Sequence, residues 1–146
     1  METLKYQVEI DATAEKVWDV LWNEKTYPQW THFFSPGSVM QTDWKVGGKT
    51  YFTDASKQNG MISTIERIEE PKHLIFKHLG ELHNGVEDVD SEKVKAWSGS
   101  LEAYYLEENN GKTFLKVEVD VDNSYKDIMD EGFKKGLEII KNLSEN

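Results

Sequence analysis

Residues 101–121 read LEAYYLEENNGKTFLKVEVDV. Asn110-Gly111 is the strongest short hairpin signal in the chain, because a type I′ turn needs positive φ at both central residues and this pair tolerates it. Strands are expected on either side, over 99–107 and 112–121. Counting outward from a two-residue turn places Leu106 opposite Leu115, Tyr104 opposite Val117 and Glu102 opposite Val119, and directly opposed residues share a face. A four-residue loop would keep these partners; a three- or five-residue loop would reverse the facing. Leu115, Val117, Val119 and Val121 alternate with Lys116, Glu118 and Asp120, so the valine side is the core side. The turn therefore carries a carboxylate, Glu102, inward beside Tyr104.

Working outward, residues 4–10 set Leu4, Tyr6, Val8 and Ile10 against Lys5, Gln7 and Glu9, the period-two pattern of a half-buried strand. Thr13 can cap a following helix whose first turn holds Glu15, and Ala14, Val17, Trp18, Leu21 and Trp22 form a stripe at helical spacing. Between that helix and the hairpin lie further strands, roughly 37–42, 48–54, 60–69 and 73–80, separated by turn chemistry at VGG, SKQNG and EEPK. Strand 60–69 takes no clear facing, because Glu66 and Arg67 fall on opposite sides. If Lys77 faces water, Leu74, Phe76 and His78 face inward. Residues 80–97 are expected as a long exposed acidic excursion with a short helix near 91–97.

The last element, SYKDIMDEGFKKGLEIIKNL, is a long helix for which Ser124 and Asp127 offer a capping box. Tyr125, Met129, Ile140 and Leu143 bracket its apolar face, with Gly132 and Gly136 near the middle. An interior glycine costs about 1 kcal/mol relative to alanine. Something on that face needs the space: either the helix backbone approaches the sheet closely or a void lies beneath it.

The totals narrow the classes of function. The 146 residues carry 27 Asp and Glu against 17 Lys and Arg, a net charge of −10, so nucleic acid and anionic membrane surfaces are excluded as partners. No apolar run approaches the roughly twenty residues of a membrane span. METLKYQVEI lacks the basic start and apolar block of a signal peptide, and a cytoplasmic location is the expectation, with which the absence of cysteine agrees.

Several stretches together resemble a known superfamily: IDATAEKVWDVLWNEKTYPQW, the DWKVGGK turn, the IEEPKHLIFKHLG strand pair, the EAYYLEENNGKTFLKVEVD hairpin and the GFKKGLEIIKNL ending. They resemble the START-like (SRPBCC, helix-grip) superfamily and, within it, bacterial homologues of the C-terminal domain of the heat-shock chaperone ATPase activator family. The resemblance covers almost the whole chain. It implies an α+β helix-grip fold, a curved antiparallel sheet of about seven strands wrapped around a long C-terminal helix, with two short helices between strands 1 and 2 and residues 1–146 forming a single START-like domain. It also implies a cavity between sheet and helix, with Trp30 near its mouth. Motifs of this group specify a fold more than an activity.

Chemical signatures are few. Gly48-Lys49-Thr50 and Gly111-Lys112-Thr113 lack the earlier glycine of a phosphate loop and open strands instead of helices, so neither binds nucleotide. The four histidines, His32, His73, His78 and His83, have no metal-ligand spacing, Glu87, Asp88, Asp90 and Glu92 make no calcium loop, and no serine stands in G-x-S-x-G. No catalytic residue, metal or cofactor is assigned. What remains is a wall of Glu102, Tyr104 and His78 facing the interior, able to orient a ligand hydroxyl or carbonyl or to act as acid and base on it, with a satisfied internal pair that merely fixes register as the competing account. Trp30, Phe76, Met129 and Phe133 are the apolar candidates beside it, and for each ordinary core packing is the competing account. The expected function is the binding of a small apolar ligand, lipid-like or an aromatic metabolite, between sheet and helix. The alternatives are a co-chaperone-like module whose acidic 80–97 segment meets a chaperone or other protein, and an enzyme acting on a bound carbonyl compound.

Overall fold

The hairpin forms as its turn chemistry demands. In the computed structural model, which describes residues 1–146, Asn110 and Gly111 take φ of 54° and 79°. Asn109 stands opposite Lys112, and the register runs through Tyr104 with Val117 to Glu102 with Val119. This pair, β7 (Leu101–Asn109) and β8 (Lys112–Val121), sits inside one antiparallel sheet. Beyond β8 lies β1 (Glu2–Ile10); beyond β7 come β5 (His73–His83), β4 (Gly60–Glu69), β3 (Lys49–Thr53) and β2 (Val39–Thr42) in that order. An eighth strand, β6 (Val86–Asp88), pairs only with β5. This is the helix-grip α+β architecture.

The helices cover the concave face. α1 (Ala14–Trp22) begins at Thr13, whose side chain accepts the Lys16 amide at 3.2 Å. α2 (Tyr27–Trp30) is a single turn opened by Pro28. The long α4 (Lys126–Glu145) touches β1, α1 and α2. Its start departs from expectation: no Ser124 and Asp127 capping box forms, and Asp122 instead accepts the Ser124 amide at 3.0 Å, closing a 3₁₀ turn over Asn123–Tyr125.

The two glycines of α4 answer to neither alternative read from the sequence. A Cβ on Gly136 would stand 2.7 Å from the Trp30 carbonyl oxygen, and one on Gly132 would run into the Phe34 ring. The close approach is to α2 and the turn after it, not to the sheet. Rings fill the interval: Phe34 lies 4.9 Å from Phe133, which stacks on Tyr6 at 5.2 Å.

The acidic 80–97 segment is mostly exposed and carries the expected short helix, but it is an ordered extension of the sheet and not a free excursion. β5 continues to His83, Asn84-Gly85 turns with φ of 48° and 80°, β6 pairs back, and α3 (Glu92–Lys95) buries Val94 completely. Gly80, on the convex face with Ile62 and Leu82, lies in contact with the Asp88 carbonyl. Glu87 accepts from Lys49 Nζ and from the Tyr51 hydroxyl, both at 2.8 Å, which ties β6 to β3.

The unclear facing of strand 60–69 has a geometric cause. The register slips between Ile65 and Arg67, leaving Glu66 unopposed, so no single alternation runs through β4.

Two expectations follow. Gly136→Ala gains helix propensity but forces backbone from backbone, so it should destabilise by about 1–3 kcal/mol in urea unfolding; Gly132→Ala meets a ring on a half-buried side chain that can turn aside, and should cost less. The second concerns acid. Hydrogen bonds from the Asp11 amide and Lys141 hold the Glu145 carboxyl below its ordinary value, Lys134 and Tyr6 do so for Asp130, and Lys49 and Tyr51 for Glu87. Because these folded-state values are depressed, the unfolded chain takes up protons first as pH falls, and stability present above the ordinary carboxylate range is lost through it. The urea midpoint should be flat above about pH 6 and decline below about pH 5.

Candidate functional site

β7 and β5 bring the expected polar residues together. Phe76 stands opposite Glu102 and Leu74 opposite Tyr104, with His78 next along β5 on the same concave side. His78 Nε2 lies 3.2 Å from Glu102 Oε1, and the Tyr104 hydroxyl donates a very short hydrogen bond to Glu102 Oε2. Ser63 of β4, which stands opposite His78, completes the group: its hydroxyl lies 2.6 Å from His78 Nδ1. Nε2 of the imidazole thus faces the carboxylate and Nδ1 faces the serine hydroxyl.

The row continues across the sheet. Thr50 of β3 stands opposite Ser63 and is fully buried, and its hydroxyl meets that of Thr42 on β2 at 2.9 Å. A polar ribbon therefore crosses five strands of an otherwise apolar face. Ser63 escaped the sequence reading because the extra residue at Glu66 hides the facing of β4 and a second register shift, at Leu79 of β5, lies beside it; the signal that could have found it was its position opposite an inward His78.

Electrostatics tighten the group. Burial, the Glu102 charge and the hydrogen bond to it push the Tyr104 phenol well above its usual value, and burial followed by the Glu102 charge does the same to Tyr27. Both phenols stay protonated as donors at any physiological pH. The serine, histidine and glutamate contact resembles a catalytic relay in composition only. Ser63 is wholly buried, and it sits on Nδ1 with the carboxylate on Nε2, the reverse of the order in which a base activates a hydroxyl while an acid orients it.

The apolar candidates divide into two groups. Phe76 and Tyr104 pack with Trp22 at 5.7 and 4.9 Å over the middle of the sheet, whereas Phe133 lies with Tyr6 and Phe34 near β1, and half-buried Met129 packs on the core from the same helix. Trp30 bridges them, 6.3 Å from Tyr104 and 6.4 Å from Phe34, and its indole donates to the Leu21 carbonyl at 2.9 Å. Trp30, Phe76, Tyr104 and Phe133 are all essentially inaccessible, since each is covered by neighbouring rings. Toward β2 the concave face is less covered, with Met40, Phe52 and Met61 half-buried and Phe52 6.3 Å from His78.

Stability reports on the row. Tyr104→Phe removes one donor and should cost about 1 kcal/mol, while Glu102→Gln sets an amide donor against a hydroxyl or ring N–H and should cost about 1–3 kcal/mol. In a double-mutant cycle by urea unfolding, the two should be non-additive by at least about 0.5 kcal/mol.

Comparison with known proteins places the fold. The chain resembles the Aha1 dimer protein from Colwellia psychrerythraea, with a TM-score of 0.73 at 15% identity over 99% of this chain and 97% of that one. It also resembles a protein from Arthrobacter aurescens, with a TM-score of 0.68 at 19% identity over 97% and 84% of the two chains. CalU16 from Micromonospora echinospora follows, with a TM-score of 0.66 at 16% identity over 97% and 74%. At such identities the likeness shows the fold alone. No curated protein matches the sequence. No helix is long and apolar enough to cross a membrane. The family model described as activator of Hsp90 ATPase homolog 1-like protein matches residues 11–145, and the chain belongs to that family within the START-like superfamily.

Proposed function

We propose that this chain binds a small lipid-like or aromatic molecule on its concave face, between the sheet and α4, in the cytoplasm. His78, Glu102 and Tyr104 are its polar contacts; Trp30, Phe76, Met129 and Phe133 are its apolar ones. The observation that carries the reading is the polar ribbon from Thr42 to Tyr104 across a concave face otherwise built of hydrocarbon and rings. For stability alone, apolar residues of similar volume would serve as well or better. A ribbon able to exchange an internal partner for a ligand hydroxyl or carbonyl has a use that the hydrocarbon lacks.

Entry runs under the turn that joins α2 to β2. Half-buried Phe34, on the turn after α2, is the ring that gives way, and Met40, Phe52 and Met61 supply apolar surface leading to His78. Burying such a ligand at about 25 cal/mol per Å² of apolar surface suffices for micromolar affinity with no catalytic group. Enzymatic action is disfavoured by the inaccessible Ser63 hydroxyl and its reversed placement on the imidazole. A protein partner for the acidic segment is disfavoured because Glu87 is bound to Lys49 and Tyr51, and Asp88 accepts the Ser91 amide at 3.0 Å.

The test uses N-phenyl-1-naphthylamine fluorescence beside titration with 1-naphthol. Phe34→Ala should strengthen dye binding about three- to tenfold by removing the ring that must move. Glu102→Gln should leave dye affinity unchanged within about twofold while weakening 1-naphthol about tenfold. A dye affinity indifferent to Phe34→Ala, or naphthol binding indifferent to Glu102→Gln, would sink the proposal.

A further inference from the structure

Beside Trp22 lies a groove of about 530 Å³ whose lining includes no residue of the polar ribbon and none of the apolar residues of the concave-face proposal. Three of the chain's five tryptophans line it: Trp18 and Trp22 from α1, and Trp44 from the loop between β2 and β3. Trp18 and Trp44 each stand 6.4 Å from Trp22, edge to face, at interplanar angles of 75° and 68°. Ile68 of β4 forms part of the floor, and two carboxylates, Asp19 and Glu70, stand at the wall. We propose that this groove is a binding site for a small quaternary ammonium or other alkylated organic cation.

Indole faces carry the negative part of the ring quadrupole, and several rings set at steep angles around one space attract a soft, poorly hydrated cation. The carboxylates add to that field. Neither Asp19 nor Glu70 forms a salt bridge within the chain, although eleven such contacts form elsewhere, and the only side chain that meets Asp19 is the neutral Asn23, at 3.4 Å. Anionic groups beside three indoles, with no internal cation, complement a cationic ligand. A net charge of −10 favours its approach.

Trp44 carries the second line of support. It is 40% exposed and its backbone lies at φ 62°, a conformation that bulky residues rarely adopt. The loop holds it there: the Trp44 amide donates to Thr42 Oγ1 at 3.2 Å, the Lys45 amide to Asp43 Oδ1 at 3.0 Å, and Gly47 to the Ile65 carbonyl at 3.0 Å. The chain thus holds an exposed indole in an unfavourable backbone state beside two others. Packing alone would be better served by a buried ring on relaxed backbone, whereas a preformed cage needs this one.

The probes are choline and its neutral isostere 3,3-dimethyl-1-butanol, titrated against ¹⁵N-labelled protein while the indole N–H resonances are followed. Choline should shift the Trp44 and Trp18 signals saturably and bind at least about tenfold more tightly than the alcohol. Trp44→Ala should weaken choline about tenfold or more and leave naphthylamine dye binding unaltered, which separates this site from the concave face. A retained single cooperative urea transition should verify that this variant folds, its midpoint lowered by no more than the lost contact with Trp22; Trp44→Leu, which keeps bulk without an aromatic face, gives the same loss if the ring is the cause. Asp19→Asn with Glu70→Gln should weaken choline several-fold and flatten its salt dependence. A peptide bearing trimethyl-lysine that binds more tightly than choline would keep the cation site and assign its source to a protein. No saturable shift up to about 50 mM choline, or equal affinity for the neutral alcohol, would overturn the proposal.

Discussion

Trp22 is the contact on which the other parts of this molecule depend. Its indole meets Trp18, Tyr27, Trp30, Trp44, Phe76 and Tyr104, all within 6.4 Å, so one side chain joins both short helices, the two central strands and the loop between β2 and β3. Five of these pairs are edge to face and the one with Tyr27 is stacked; aromatic pairs of either kind are worth about 0.5–1.5 kcal/mol each beyond the area they bury. The arrangement has a cost: the Trp22 N–H is buried with no acceptor. A ring surrounded by rings meets carbon on nearly every side, and satisfying that donor would require a polar atom inside the cluster.

With Trp22 as the hub, the helices have little freedom. α2 is drawn onto α1 through Trp30, and α4 passes over α2 by offering glycine to the Trp30 carbonyl and the Phe34 ring. The helix grip is therefore closed partly by rings from the short helical segment, beside the direct contact of α4 with β1 through Phe133 and Tyr6. Two surfaces of different character adjoin this one indole, a concave face crossed by hydroxyls, an imidazole and a carboxylate, and a groove of indoles and carboxylates without a salt bridge.

Much of this was legible locally. Asn110-Gly111 set the register that turned Glu102 inward, and the alternation in β5 brought His78 to the same side, because turn type and period-two facing are properties of a few neighbouring residues. Asn84-Gly85 makes an identical turn, yet its flanks are polar and acidic and give no alternation to anchor it. The strand that follows is held by pairing with β5 and by Lys49 and Tyr51 gripping Glu87, contacts between residues some 36 to 38 positions apart. Ser63 was hidden for a related reason, since a bulge in β4 breaks the alternation on which facing rests. The capping box at Ser124 failed because Asp122, two residues earlier, takes the same amide first.

By itself, then, the amino-acid order determined seven of the eight strands, the hairpin facing, the two principal helices and the inward carboxylate, all of which follow from torsional preference and side-chain period over short spans. Only the tertiary structure decided what the glycines of α4 touch, that the interior is filled with rings, and that Trp18, Trp44 and Glu70 share one groove. These depend on the volumes and angles of side chains brought together from separate elements. No local pattern encodes such a meeting, because packing is settled between surfaces and not along the chain.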